Sequence, residues 1–181
     1  MAGSEQQNLP PGFIIHNCHT GLAIPVHEDW EISEKDHALH KSCVISRQSY
    51  QKLGLFFTAL EVNVYRDYQA KRLELPTQFA LKELAGCLKR FDIAHYQIAG
   101  DKSFVSFRGL FGSAVKYGVS PFLGIVPINF PVLLEMQMMA ENPRDIIYQL
   151  NFYSSPTTWN QDIPFRNTML DRWKDTQTIQ S

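Results

Sequence analysis

"DIIYQLNFYSSPTTWNQDIPFRNTMLDRW", residues 145–173, decides how the rest of the chain is read. Its first half alternates. Ile146, Tyr148, Leu150 and Phe152 fall on one side of an extended chain and Gln149 and Asn151 on the other, the period-two pattern of a strand with one buried face. Ser154, Ser155 and Pro156 end it, because proline gives no N–H to a ladder and holds its predecessor in extended geometry. Beyond the break, Phe165, Met169, Leu170 and Trp173 recur at helical spacing. They predict a helix from about Pro164, with residues 157–162 as its approach and Trp159 packing the join.

Working outward, residues 131–140 ("PVLLEMQMMA") pair with that strand through Glu141 to Arg144, with Val132, Leu134, Met136 and Met138 on one face. "DIAHYQIAG" (92–100) and "KSFVSFRGLFG" (102–112) form a second hairpin across Gly100, Asp101 and Lys102. Between these pairs and the N-terminal half lies "PTQFALKELAGCLKRF" (76–91), where Phe79, Leu81, Leu84, Cys87, Leu88 and Phe91 mark one side of a helix with Thr77 as its N-cap. Upstream, "SCVISRQ" (42–48) and "LGLFFTALEVNVYRDY" (53–68) form a hairpin joined near residues 49–52. It sets Phe56, Thr58, Leu60, Val62 and Val64 against Phe57, Ala59, Glu61, Asn63 and Tyr65. "FIIHNCHTGLAIPVHEDWEIS" (13–33) gives two short strands through Thr20 and Gly21, and residues 34–41 read as a loop or a single helical turn.

Strands, one strong helix, more strands and a closing helix make an α+β pattern, an antiparallel β-sheet covered by helices. The expected layout is a disordered lead-in over 1–12, a single α+β domain over 13–176 and a flexible tail over 177–181. Its core sets Phe56, Leu60, Val62, Val132, Leu134, Leu150 and Phe152 against the helix of residues 77–91.

Composition narrows the function classes. A chain of 181 residues with 44% apolar residues can bury a core. A net charge of -1 lacks the basic excess that phosphate neutralisation demands, so no nucleic-acid partner is expected. Three cysteines, Cys18, Cys43 and Cys87, cannot close as a disulfide framework and are read as reduced thiols. The apolar run of residues 119–140 is interrupted by Pro121, Pro127 and Pro131 and carries Glu135 and Gln137, so no transmembrane segment is expected there. The start "MAGSEQQNLPPG" has no basic and apolar leader. It implies a cytoplasmic protein if this N-terminus is native, and an exported or membrane-anchored one if a signal has been removed.

The order of elements, with "IPVHEDW" (24–30) at the start and "YQLNFYSSPTTW" (148–159) at the end, resembles the PsbP-like superfamily. That group takes in the extrinsic PsbP protein of photosystem II, DcrB-type bacterial lipoproteins and Mog-type Ran-binding proteins. The resemblance implies an α/β/α sandwich around an antiparallel sheet, and an adaptor, assembly-factor or chaperone role with no shared catalytic site. One extra serine in the closing phrase and the insert of residues 111–131 depart from the pattern.

Motifs that carry chemistry are sparse. Neither GxSxG, GxGxxG, GxxxxGK, CxxC nor HExxH occurs, and the nearest nucleophile phrase, "FGSAVKYG" (111–118), leaves Ser113 as a loop serine. Cys87 sits among Leu84, Leu88 and Phe91 and reads as an inert core thiol, with His95 beyond the helix. Two local groups, His16, Cys18 and His19 in "HNCH" and His37, His40 and Cys43 in "HALHKSC", hold metal-ligating residue types. Neither has a recognised spacing, and one short element cannot present all three of the first group, so no metal and no cofactor is assigned.

Glu61, Asn63, Glu135, Gln137, Gln149 and Asn151 read as a polar sheet face, solvated or lining a groove. In a groove, Glu61 and Glu135 could act as acid and base. The favoured function is therefore non-enzymatic binding, as adaptor or assembly factor, with a protein partner or a second copy of the chain. The alternative is a small hydrolase or metal-dependent enzyme using the histidine and carboxylate side chains. Phe122, Leu123, Ile125, Ile128 and Phe130 are too apolar for a solvated loop and form the expected partner-binding segment.

Overall fold

The computed structural model describes residues 9–47, 58–90, 92–112, 118–120, 124–126 and 133–176. Its elements run β1 (Phe13–Asn17), β2 (Leu22–His27), β3 (Glu31–Asp36), β4 (Lys41–Ser46) and β5 (Thr58–Arg66). Helices α1 (Tyr68–Arg72) and α2 (Pro76–Arg90) come next, then β6 (Asp92–Gly100), β7 (Phe104–Gly112), β8 (Gly118–Ser120) and β9 (Gly124–Val126). The chain closes with β10 (Leu133–Glu141), β11 (Ile146–Ser154), α3 (Trp159–Arg172) and β12 (Lys174–Asp175).

Seven strands form one antiparallel sheet in the order β3-β4-β5-β11-β10-β7-β6. Residues 145–173 decide this architecture because β11 is the middle strand, with Leu150 opposite Val62 on one side and Gln137 on the other. A second, smaller sheet, β1-β2-β12, has the chain's last strand antiparallel to β2, Lys174 opposite Ala23 and Asp175 opposite Leu22. Asp175 is held there by Arg66 at 3.2 Å, Arg144 at 2.7 Å and the Tyr148 hydroxyl, while the Thr176 backbone N–H donates to the Gly21 carbonyl at 2.9 Å.

Alternation along the paired strands splits the core in two. On one face Cys43, Ile45, Leu60, Val62, Val64, Tyr148, Leu150 and Phe152 pack against α3 and the small sheet, with Leu22, Ile24, Trp30, Met169 and Leu170 from the covering layer. On the other, Phe107, Phe111, Leu134, Met136, Met138 and Ile147 pack under Ala80, Leu84 and Cys87 of α2. This corrects the expected single core: Leu60, Val62, Leu150 and Phe152 lie on the side away from α2, and only Leu134 meets it. Phe56 and Val132 lie outside the described residues.

Both helices are held by long-range polar contacts. Helix α2 opens with Pro76 in its first turn, where the missing N–H costs nothing, so Thr77 is inside the helix and does not cap it. Gln78 Oε1 accepts from the Leu75 N–H at 3.4 Å, and Asn142 of the β10–β11 turn accepts from the Thr77 N–H at 3.1 Å and donates to its hydroxyl at 3.0 Å.

Helix α3 starts at Trp159, with Pro164 inside it, where Pro164 was expected to begin it. Asp162 explains the earlier start. Fully buried in the first turn, it accepts from Thr58 Oγ1 at 2.7 Å and Ser154 Oγ at 2.6 Å, and Arg47 lies 2.8 Å away. These contacts fix the turn ahead of the hydrogen bond that Pro164 cannot make. The Ser154-Ser155-Pro156 break thus serves packing: Ser154 anchors Asp162, and Trp159 packs edge-on to Phe152 with the Arg166 guanidinium 4.8 Å from its ring.

Residues 34–41, expected as a loop, instead hold the end of β3, a tight turn and the start of β4, with Glu34 directly opposite Cys43. Of the insert, β8 and β9 pair as a short hairpin. Phe122, Leu123, Ile128 and Phe130 lie outside the described residues, and only the backbone of Ile125, in β9, is described.

Candidate functional site: an open groove beside the edge strand

Helix α2 packs over β10, β7 and β11 and stops short of β6, the last strand of the main sheet. Tyr96 and Ile98 of β6 are therefore 44% and 49% exposed, and Leu81 on the flank of α2 is 46% exposed. The sequence placed Leu81 on the buried side of α2, yet Ala80, Leu84 and Cys87 take that side. Leu81 instead joins Leu75, Ile98 and Val105 around a groove of about 750 Å³, with Asp101 and Lys102 at one end.

The turn beneath it is rigid. Asp101 Oδ1 accepts from the Ser103 N–H and hydroxyl, both at 2.7 Å, and from the Phe104 N–H at 3.0 Å, which holds its carboxyl below the usual range. Gly100 adopts φ 137, and a Cβ there would meet the Phe104 carbonyl oxygen at 2.1 Å.

The six polar residues read as one face occupy two. Glu61 pairs with Asn151 and Glu135 with Phe152, neighbours on β11 that point to opposite sides of the sheet. The proposed acid and base are thus separated by the sheet itself.

Glu135 lies under α3 with both oxygens engaged, by Arg108 Nε at 2.5 Å and Arg166 Nε at 2.8 Å, while Arg108 also reaches Asp171 at 2.5 Å. Gln137 shares that face. Glu61, Asn63, Gln149 and Asn151 share the face of α2. There Tyr153 donates to Glu61 at 3.1 Å, Asn63 Nδ2 to Glu61 at 3.5 Å and Tyr65 to Gln149 at 3.5 Å. The amide oxygens of Asn63 and Asn151 are buried without a hydrogen-bond partner among the described residues. Burial pushes the Tyr65 hydroxyl up to about 12, with Glu83 and Glu61 adding to it.

The two histidine and cysteine groups are divided and recombined. His37 bonds Ser42 at 3.0 Å and stacks on His40 at 4.4 Å, and His40 leans on Tyr65 at 4.7 Å. Burial, then the neighbouring His37, lowers the pKa of His40, against a raising effect of Glu61.

Cys43 points to the opposite face, where its thiol lies 3.4 Å from Cys18. Glu34 stands beside them, 3.3 Å from His16 Nε2 and 3.0 Å from His19 Nδ1, and takes the His19 backbone N–H at 3.0 Å. Burial works to raise the Glu34 pKa, but the His19 N–H and the His16 and His19 rings lower it overall. Cys87 is buried against Met136, 4.0 Å from its sulfur, while His95 is exposed on β6.

An antiparallel sheet with one long helix on one face, and a helix plus a three-stranded sheet on the other, defines a PsbP-like α+β sandwich. The solution structure of cyanobacterial PsbP (CyanoP) from Synechocystis sp. PCC 6803 matches it with a TM-score of 0.53 at 8% identity, over 96% of this chain and 98% of that one. No protein-family profile and no curated protein matches the chain by sequence. Among the described residues, no helix is long and apolar enough to cross a membrane.

Proposed function

We propose that this protein is a non-enzymatic binding protein, an adaptor or assembly factor that captures an extended segment of a protein partner along β6. The observation that carries the reading is the groove between Leu81 and Ile98. It sets exposed apolar side chains beside a nine-residue edge strand that pairs, among the described residues, on one side only. A partner strand added there would take main-chain hydrogen bonds from the edge and side-chain contacts from the groove. Glu61 and Glu135, one acid–base pair considered for the enzymatic alternative, lie on opposite faces of the sheet, and the fold shared with cyanobacterial PsbP agrees with a binding role. The insert carrying Phe122, Leu123, Ile125, Ile128 and Phe130 remains a second candidate surface in this proposal.

The test is affinity capture from the native source with the parent protein, with Leu81→Glu/Ile98→Glu and with Phe122→Ser/Leu123→Ser. Loss of a stoichiometric partner in the first variant alone, with an unchanged melting temperature, supports the groove. Loss in the second alone moves the site to the insert. Capture that survives both changes overturns the reading, and concentration-dependent self-association abolished by the first would make the occupant a second copy.

A further inference from the structure

His16 and Cys18 of the first local histidine and cysteine group meet Cys43 of the second, with Glu34 beside them, across the gap between the two sheets. His16 comes from β1, Cys18 from the β1–β2 turn, Glu34 from β3 and Cys43 from β4, and one donor atom from each lies within 4.8 Å of all the others. We propose that these four side chains form a zinc site of two thiolates, one imidazole and one carboxylate, pinning the small sheet to the main one.

Two of the six donor-to-donor edges lie close to those of a tetrahedral shell. Zinc–sulfur bonds of about 2.3 Å require a sulfur–sulfur edge of about 3.8 Å, and bonds of about 2.0–2.2 Å to nitrogen and oxygen require an N···O edge of about 3.3–3.6 Å. The observed edges are 3.4 Å between Cys18 and Cys43 and 3.3 Å between His16 Nε2 and Glu34 Oε1. The donor set, two sulfurs with an imidazole and a carboxylate, suits zinc and is too soft for magnesium or calcium.

A supporting layer is also present. The His19 N–H and ring fix the Glu34 carboxylate, and His19 Nε2 reaches Asp36 at 3.0 Å, the kind of outer contact that orients metal ligands. Both thiols are buried and lie 3.4 Å apart, with the Glu34 carboxylate beside Cys43. On binding, each thiol gives its proton to solvent, two protons per ion, and no electron changes hands.

Four protein donors leave no open coordination position for a reacting water, so the site is structural. It stands apart from the groove and holds whether or not β6 binds a partner.

The test uses the full chain, purified and fully reduced, with zinc or cobalt as the probe. Expected are one zinc per chain by elemental analysis, a cobalt form with tetrahedral ligand-field bands and a thiolate-to-metal charge-transfer band, and a higher melting temperature with zinc. Cys43→Ser and Cys18→Ser should abolish the charge-transfer band or halve it. Because those thiols are buried, the half-buried His16→Ala and the exposed Glu34→Gln give independent readings. Each should weaken zinc at least about tenfold while the circular dichroism stays native. His37→Ala should change nothing.

Reduced, folded protein that takes up no zinc and gives no cobalt spectrum overturns the proposal. So does zinc retained with parental affinity in both His16→Ala and Glu34→Gln, or zinc lost on His37→Ala.

Discussion

The two faces of the main sheet are covered in different ways. Under α3 and the small sheet the charged groups are spent on their neighbours, Asp162 on Thr58, Ser154 and Arg47, and Glu135 on two arginines, while the Gln137 amide oxygen is buried without a hydrogen-bond partner among the described residues. Under α2 the cover is a single helix across a wide sheet. It seals the middle, leaves β6 open on one side and leaves a half-satisfied cluster around Asn63 and Asn151 on the other. A face whose charged groups are matched internally has little left to offer a partner. Leu81, Tyr96 and Ile98 are exposed beside an open strand edge on the incompletely covered face, which is why the proposed recognition surface lies there.

Changes to either cover test this contrast, and the largest effect is expected at the middle of α2. Leu84 is buried, and Leu84→Asp would sink an unpaired charge into the core beneath the helix, so the fold should be lost. Native-like cooperative melting in that variant would show that α2 is not what closes this face.

On the opposite face, Asp162→Ala would strand two buried hydroxyls and a guanidinium. Arg47 is partly exposed and can turn to water, so the loss should be about 3 kcal/mol rather than complete unfolding. Chemical denaturation measures it, and a change below about 0.5 kcal/mol, the scale of ordinary surface substitutions, would mean that α3 is seated by apolar packing alone.

A smaller effect follows from His40 at the border of the α2 face. Its folded pKa is lowered below the ordinary histidine value, so the unfolded chain binds the proton more readily. Stability is therefore full above the ordinary histidine range and declines as pH falls through it, levelling off below the lowered folded value. Melting temperatures of parent and His40→Gln should converge on acidification, and parallel curves would contradict the assignment.

The smallest effect on stability belongs to the groove. Leu81→Glu with Ile98→Glu should shift the free energy of unfolding by no more than about 0.5 kcal/mol, since both side chains already meet water. A loss of several kcal/mol would mean that the rim is core.

What the sequence disclosed were the features that local chemistry specifies. Proline and helical spacing marked α2, the Gly100-Asp101 turn marked the β6–β7 hairpin, and the alternation after Asp145 marked β11. What it concealed depends on partners distant in the chain. Gln149 and Asn151 looked solvated because a strand buried on both faces shows the same alternation when its second face is polar. Glu61 and Glu135 looked like neighbours because register across β11 is invisible until the strands are aligned.

Asp162 starts α3 early through Thr58, 104 residues away in sequence, which no helix-start signal contains. The candidate site was partly legible. Leu81 was read as part of the buried side of α2, because helical spacing does not show how far the cover reaches towards β6. The cluster of His16, Cys18, Glu34 and Cys43 was missed because residues 34–41 were read as a loop. Recognising a hairpin there would have set Glu34 opposite Cys43.

The small sheet carries a consequence for biosynthesis. Its outer strand, Lys174–Asp175, zips onto Leu22 and Ala23, so a layer begun by the earliest residues cannot be finished until residues 174–176 have left the ribosome. At about 5–20 residues per second, the first hairpin waits roughly 7–30 seconds for its third strand. A nascent chain released before that point would carry Leu22 and Ala23 without their partner strand. Premature termination near residue 173 should thus yield a protein that chaperones and proteases recognise, although all seven strands of its main sheet are already encoded.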